Sequence, residues 1–305
     1  MISEYGWYGV IPSGPASGRG AKQTMREASI VSRLTGERDN YLQAVPRRSR
    51  SPIMTAVHQL LSANEKRNRV TIQLLSLQVG MPEILDPEKP WTSGIGKTAV
   101  SDPRWIGQTQ IEGDGQADQV HHGGPHKAVC VYSADHYPYW REQHRDKKWP
   151  WGSFGENFTV QNLSETEVCI GDIWKIGETK LQVSQPRQPC WKLARFWDIK
   201  DLALQVQQNG KTGWYLRVLE EGRVQAGMSI LLESRSNPRW TIAAANEIMH
   251  HDKQNVAAAA DLLALPELSP SWVETLTKRV QKQAPADPQQ RLSGNSSDVS
   301  SPESE

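Results

Sequence analysis

Most of the features that place a sequence quickly are missing from this one. Three cysteines in 305 residues, Cys130, Cys169 and Cys190, are too few and too scattered for a disulfide framework, and no C-x-x-C pair offers zinc or dithiol chemistry. No run approaches the ~18 apolar residues of a membrane span, and Met1 to Gly20 lacks an apolar core with a cleavage site behind it. A formal net charge of +1 with 23% charged residues creates no global field to draw nucleic acid or an anionic membrane. The G-x-x-x-x-G-K-[ST], G-x-G-x-x-G and G-x-S-x-G patterns are all absent, so ATP, NAD and serine-hydrolase chemistry lose their usual support. The hydrophobic fraction of 37% and the mean hydropathy of -0.61 are low for a compact globule, which predicts that part of the chain stays unstructured.

The ends supply that part. Residues 1–69 are rich in Gly, Ser, Pro and Arg, with basic residues outnumbering acidic ones about two to one and only a weak helical patch around Met54 to Ala63; they read as a disordered basic extension. The expected location is cytoplasmic, with a mitochondrial leader as the alternative reading of that basic stretch. From Val70 the texture turns β-rich. Val70 to Val79, Lys97 to Val100, Ala128 to Tyr132, Val168 to Ile176, Lys180 to Ser184 and Met228 to Glu233 read as strands, the fourth and fifth joined by a Gly177-Glu178 hairpin turn. Ser133 caps a helix running to Lys147 that carries Tyr137 and Trp140. After Asn237-Pro238 the pattern is helical: Thr241 to His250, Asn255 to Leu265, and a helix opened by Ser269-Pro270 that runs to Lys282. The class is mainly β with α, and the divisions are 1–69, a β-barrel domain at 70–236, a three-helix unit at 237–283 and a disordered polar tail at 284–305. Most of the twelve tryptophans belong to core or pocket wall.

Four short runs could carry chemistry. Cys190 closes Gln185-Pro186-Arg187-Gln188-Pro189-Cys190, where Arg187 and Lys192 favour the thiolate and the prolines turn the chain out of the sheet into a loop. The alternatives are an activated thiolate and a buried structural thiol. His121-His122-Gly123-Gly124-Pro125-His126-Lys127 is either a plain turn or an anion nest in which Gly123 and Gly124 let backbone approach a ligand and Lys127 adds charge. A zinc reading from His122, His126 and Cys130 is disfavoured, because Gly-Gly-Pro forbids the helix that would align them. In Phe154-Gly155-Glu156-Asn157-Phe158, Asn157 could read a heterocycle edge or finish a turn. In Gly213-Trp214-Tyr215-Leu216-Arg217, aromatic area beside a cation suits a flat anionic ligand and equally a core strand.

The order of these pieces is distinctive: His122-Gly123-Gly124, the strand to Tyr132, the Tyr137 to Trp140 helix, Gly155-Glu156-Asn157, Gly171-Asp172, then Gln185-Pro186-Arg187 and Pro189-Cys190. It resembles the MOSC domain, named for the C-terminal domain of molybdenum cofactor sulfurases, and within that family the stand-alone bacterial branch that reduces 6-hydroxylaminopurine and carries three C-terminal helices. The resemblance implies a β-barrel domain holding the molybdenum cofactor, molybdopterin, with Cys190 as the metal ligand. It also implies an oxidoreductase that reduces N-hydroxylated nucleobases or related small molecules, detoxifying them, with electrons from a separate flavin or haem partner. Gly123, Gly124, Lys127, Asn157, Arg187 and Lys192 are then expected at the cofactor, the three cations suiting its phosphate, and His122 as a proton donor beside catalytic Cys190. Pyridoxal phosphate is not expected, since no Schiff-base lysine is singled out. The alternative function is a sulfur or molybdenum-cofactor carrier acting through a Cys190 persulfide.

Overall fold

The computed structural model describes residues 71–119, 121–282 and 288–294; the expected extension at 1–69 and most of the expected tail lie outside them. The strands are β1 Gln73–Val79, β2 Glu83–Leu85, β3 Trp91–Ser93, β4 Thr98–Val100, β5 Arg104–Ile106, β6 Val129–Ser133, β7 Phe158–Gln161, β8 Ile173–Ile176, β9 Thr179–Pro186, β10 Trp214–Glu220, β11 Gly222–Val224 and β12 Ile230–Ser234. Eight of them form one sheet in the order β12-β8-β9-β10-β6-β7-β1-β4, antiparallel except for the parallel β6–β7 pair. The sheet curls until the start of β1 meets the start of β12: Leu74 donates to the Met228 carbonyl and Ile230 to the Ile72 carbonyl, both at 2.9 Å. A half-barrel results, with Leu74, Leu77, Val131, Phe158, Trp174 and Trp214 among the side chains that fill it.

The helices are α1 Tyr137–Gln143, α2 Trp191–Trp197, α3 Leu202–Gln208, α4 Ile242–Asn246, α5 Val256–Leu263, α6 Pro270–Val280 and α7 Pro288–Ser293. Ser133 does cap, but it caps a short 3-10 turn, accepting from the Asp135 amide at 3.2 Å, and α1 then ends four residues before the expected Lys147. The Val168 to Ile176 strand is shortened to β8, because Gly171 at φ 85 makes a turn in which the Asp172 carboxylate accepts from the Cys169 amide at 2.9 Å. The Gly177-Glu178 hairpin forms as expected, Ile176 facing Thr179 across it. Helices α2 and α3 were not foreseen. They are short, interrupted by Asp198 in the left-handed region at φ 54, and bury a patch rather than a sustained stripe. Helix α7, within the stretch read as tail, packs against α2.

The three-helix unit α4–α6 braces the sheet. Thr241 and Asn255 cap α4 and α5 in the ordinary way, each accepting an amide at 3.0 Å. Ser269 marks the start of α6 but spends its hydroxyl elsewhere, donating to Gln185 Oε1 at 2.6 Å, while its amide bonds the Ser184 carbonyl at 3.1 Å. Both partners lie at the end of β9, immediately before the Cys190 turn, so the helical unit fixes the strand that delivers the thiol.

A second core is aromatic and lies beneath α1: Tyr132, Tyr137, Trp140, Trp149 and Phe154 pack together, with Tyr132 and Phe154 stacked at 4.2 Å. Trp140 is fully buried and its indole N–H donates to the Tyr132 hydroxyl at 2.7 Å. Trp140→Ala should cost about 3–5 kcal/mol and Trp140→Phe, which removes only the hydrogen bond and some area, about 1–2 kcal/mol. Urea unfolding midpoints at constant slope check both values.

Candidate active site

Four segments meet at an open cleft at one end of the half-barrel. Ser93, Gly94, Ile95 and Lys97 come from the end of β3 and the chain after it, Gly115 and Gln116 from the chain after β5, Phe154, Gly155 and Asn157 from the loop before β7, and Arg187, Cys190 and Lys192 from the chain after β9 and the start of α2. Gly94 is required there, because any Cβ would sit 2.4 Å from the Gly115 carbonyl oxygen where the first two segments cross. His122, Lys127, Cys130 and Tyr215 complete the wall. Six of the expected site residues therefore come together: Cys190, His122, Lys127, Asn157, Arg187 and Lys192.

Gly123 and Gly124 do not line the cleft. They form the turn ahead of a 3-10 helix at Pro125–Lys127, Gly124 at φ 89 and Gly123 against Gln119, where a Cβ would fall 2.4 Å from Oε1. Their part is to place His122 and Lys127. Asn157, for which a heterocycle contact and a turn were both open, lines the cleft and is held by the protein: its Oδ1 accepts from the Cys130 amide at 3.0 Å, and its Nδ2 donates to Asp114 Oδ2 at 2.9 Å and the Gln78 carbonyl at 3.3 Å. Both donors of the amide are used inside the protein, and its oxygen keeps one lone pair. Glu156 beside it is likewise structural, a buried carboxylate taking the Tyr137 hydroxyl and the Gly152 and Phe154 amides, with burial pushing its pKa up. In β10, strand alternation sends Trp214 into the half-barrel and Tyr215 to the cleft, while Arg217 binds the Glu267 carbonyl. Of that run only Tyr215 reaches the site.

Of the two thiols in the cleft, one is activated. Burial pushes Cys190 up, but the hydrogen bond and charge of His122, whose Nε2 lies 3.6 Å from Sγ, together with the Arg187 charge and the Lys192 amide, bring it down to about 7. Cys130, wholly enclosed, is pushed up to about 11 by burial, with Arg187 only partly offsetting it. Arg187 is itself 7% exposed, its charge acts on Tyr215 across the cleft wall, and its Nη1 has no partner. A buried, unsatisfied guanidinium arm costs stability unless something arrives to accept from it. Lys127 donates to the His121 carbonyl at 2.6 Å and Lys192 to the Thr92 carbonyl at 3.4 Å, each keeping further donors for the cleft.

Sequence reasoning missed Lys97, Asp114 and Gln116. Asp114, fully enclosed, pairs with Lys97 and accepts from the Gly80 amide at 2.9 Å as well as from Asn157. The one local signal was Gly113-Asp114-Gly115, a carboxylate between two glycines, which does not say what the carboxylate meets. Among the described residues no three His, Cys, Asp or Glu side chains converge on one point.

Residues 118–231 match the MOSC domain, and residues 240–283 match the YiiM-like, 3-alpha helix domain. The uncharacterized protein YflK of Bacillus subtilis (strain 168) is 44% identical over 223 residues, 73% of this chain and 100% of YflK. The chain belongs to the MOSC domain family. The crystal structure of YiiM from Geobacillus stearothermophilus, 38% identical, superposes with a TM-score of 0.59 over 68% of this chain and 99% of that one. A protein of Gibberella moniliformis (strain M3125 / FGSC 7600) named reductase is 34% identical over 57% of this chain but only 32% of its own length. In this MOSC protein the Cys190 turn lies within the first matched segment, and the unit that braces it is the second. No helix among the described residues is long and apolar enough to cross a membrane.

The thiolate assignment has a direct check. Alkylation of Cys190 by iodoacetamide, followed residue by residue in a mass spectrometer, should rise with a midpoint near pH 7, and His122→Ala should move that midpoint up by about one unit or more. A midpoint near 9 in the unaltered protein would remove the activation.

Proposed function

We propose that the protein is a molybdenum-cofactor-dependent oxidoreductase that reduces N-hydroxylated nucleobases or related N-oxygenated compounds, taking electrons from a separate flavin or haem protein. The observation that carries this reading is the pairing, in one cleft, of a thiolate near pH 7 with a buried guanidinium whose Nη1 has no partner. A thiolate suits a soft metal, and an unpaired arginine suits an anionic group. Membership of the MOSC family and a relative named reductase support the oxidoreductase class.

The residues present fit the cofactor. Among the described residues no three His, Cys, Asp or Glu side chains converge on one point, so a metal held by Cys190 would need further ligands from a group that brings its own, as a pterin dithiolene does. Arg187, with Lys127 and Lys192 nearby on the same wall, would hold the phosphate. When bound, the cofactor supplies the two-electron chemistry at molybdenum. The chain's own groups would do the rest: Cys190 would hold the metal, Phe154 and Ile95 give the cleft an apolar wall, and His122, with Nε2 3.6 Å from Sγ, stands where a proton could be exchanged with the site. The arginine, unlike a lysine, presents a planar fork that is charged at every working pH.

Purified protein from cells with active cofactor synthesis should contain near-stoichiometric molybdenum by elemental analysis, falling at least tenfold in Cys190→Ala. Equal molybdenum in that variant would remove Cys190 from the metal. A molybdenum-free wild type with a persulfide on Cys190, detected by mass spectrometry, would overturn the reductase in favour of a sulfur carrier.

A further inference from the structure

Gln116 holds a second unpaired polar atom in the same cleft. Its Nε2 donates to Asp114 Oδ2 at 3.3 Å, and its Oε1 is buried with no partner. The orientation is not free. Asp114 pairs with the Lys97 ammonium and receives the Gly80 amide on Oδ1, and it receives Asn157 Nδ2 on Oδ2, so it is a carboxylate that only accepts. Turning the Gln116 amide over would set its oxygen against that carboxylate. The nitrogen must face Asp114, and the acceptor is left in the cleft wall opposite in character to the Arg187 donor. A buried acceptor without a donor is as costly as the reverse.

We infer that Gln116 is a specificity-determining residue whose Oε1 accepts a hydrogen bond from a ring N–H of a nitrogen heterocycle bound in the cleft, with Asp114 as the positioning residue that decides which end of the amide is offered. This rests on the reading that the cleft takes a ligand, and it deepens it: Arg187 selects an anionic or carbonyl acceptor, and Gln116 selects a donor. Pterin of the cofactor and purine of the substrate share that chemistry. A site built to hydrogen-bond an N–H rejects the analogue lacking it more strongly than an apolar wall rejects a change of size.

The test uses the full chain and Gln116→Met, which keeps length and removes the acceptor. Pterin-6-carboxylate is titrated by calorimetry into cofactor-free protein, and 6-hydroxylaminopurine into molybdenum-loaded protein. At least a tenfold rise in Kd for either probe supports the inference and shows which source supplies the N–H. Unchanged Kd for both overturns it. A pterin methylated at its lactam nitrogen, titrated into unaltered protein, gives a reading that needs no variant: on the pterin arm it should bind at least tenfold more weakly than pterin itself, and in Gln116→Met the two pterins should bind alike. Pterin binding that depends on Gln116 in a protein that never takes up molybdenum would sink the cofactor reading and leave Gln116 in place. Full molybdenum with binding indifferent to Gln116 would do the reverse.

Discussion

A guanidinium taken out of water is the constraint around which the cleft is arranged. Removing such an ion from solvent costs several kcal/mol before any partner is counted, and Arg187 is almost wholly enclosed. Its backbone amide anchors the end of β9 to the Gly213 carbonyl at 3.0 Å, so the charge cannot retreat to the surface by a shift of the strand. The groups that face it are the Cys130 and Cys190 thiols and the Tyr215 and Tyr132 hydroxyls. The same placement brings the thiol down and leaves one arm of the fork open. The anion site follows from this buried charge, and the thiolate from His122 first and this charge second.

The rest of the protein holds that charge still. Behind β9, Ser184 donates to the His126 carbonyl at 2.6 Å, tying the Cys190 strand to the turn that carries His122 and Lys127. From outside, Ser269 at the head of α6 holds Gln185, and Arg291 of α7 holds the Pro189 carbonyl and bonds Gln207 at 2.5 Å. Across the cleft the Asp114 carboxylate performs the matching task for the loops after β1, β3 and before β7, gathering an ammonium, a backbone amide and two side-chain amides. Such networks stabilise only when every member is satisfied. Two of the buried side-chain atoms left without a partner, Arg187 Nη1 and Gln116 Oε1, belong to residues of the cleft wall.

Parts of this were legible in advance. Runs of β-branched and aromatic residues located most strands of the sheet, and Ser269-Pro270 located the start of α6, because those signals act within a few residues of chain. Cys190, Arg187 and Lys192 could be grouped because they are neighbours in sequence. Asn157 could not be settled in advance. Its type suits a ligand contact and a turn equally, and the groups that hold it, Cys130 and Asp114, are each dozens of residues away. Lys97, Asp114 and Gln116 carried no motif, since a carboxylate between glycines means nothing until the loop it faces is known. Trp214 and Tyr215 were an inseparable pair until the register of β10 assigned one to the core and one to the cleft.

The sequence by itself determined the β-rich texture, the helical C-terminal unit, and the local pairing of a cysteine with cations on a proline-bounded turn. The tertiary structure alone decided which thiol is activated and which cleft amide is left with an unpartnered atom. The physical reason is that ionisation and hydrogen-bonding capacity depend on burial and on partners brought by other strands. Propensity and pattern, by contrast, are properties of adjacent residues.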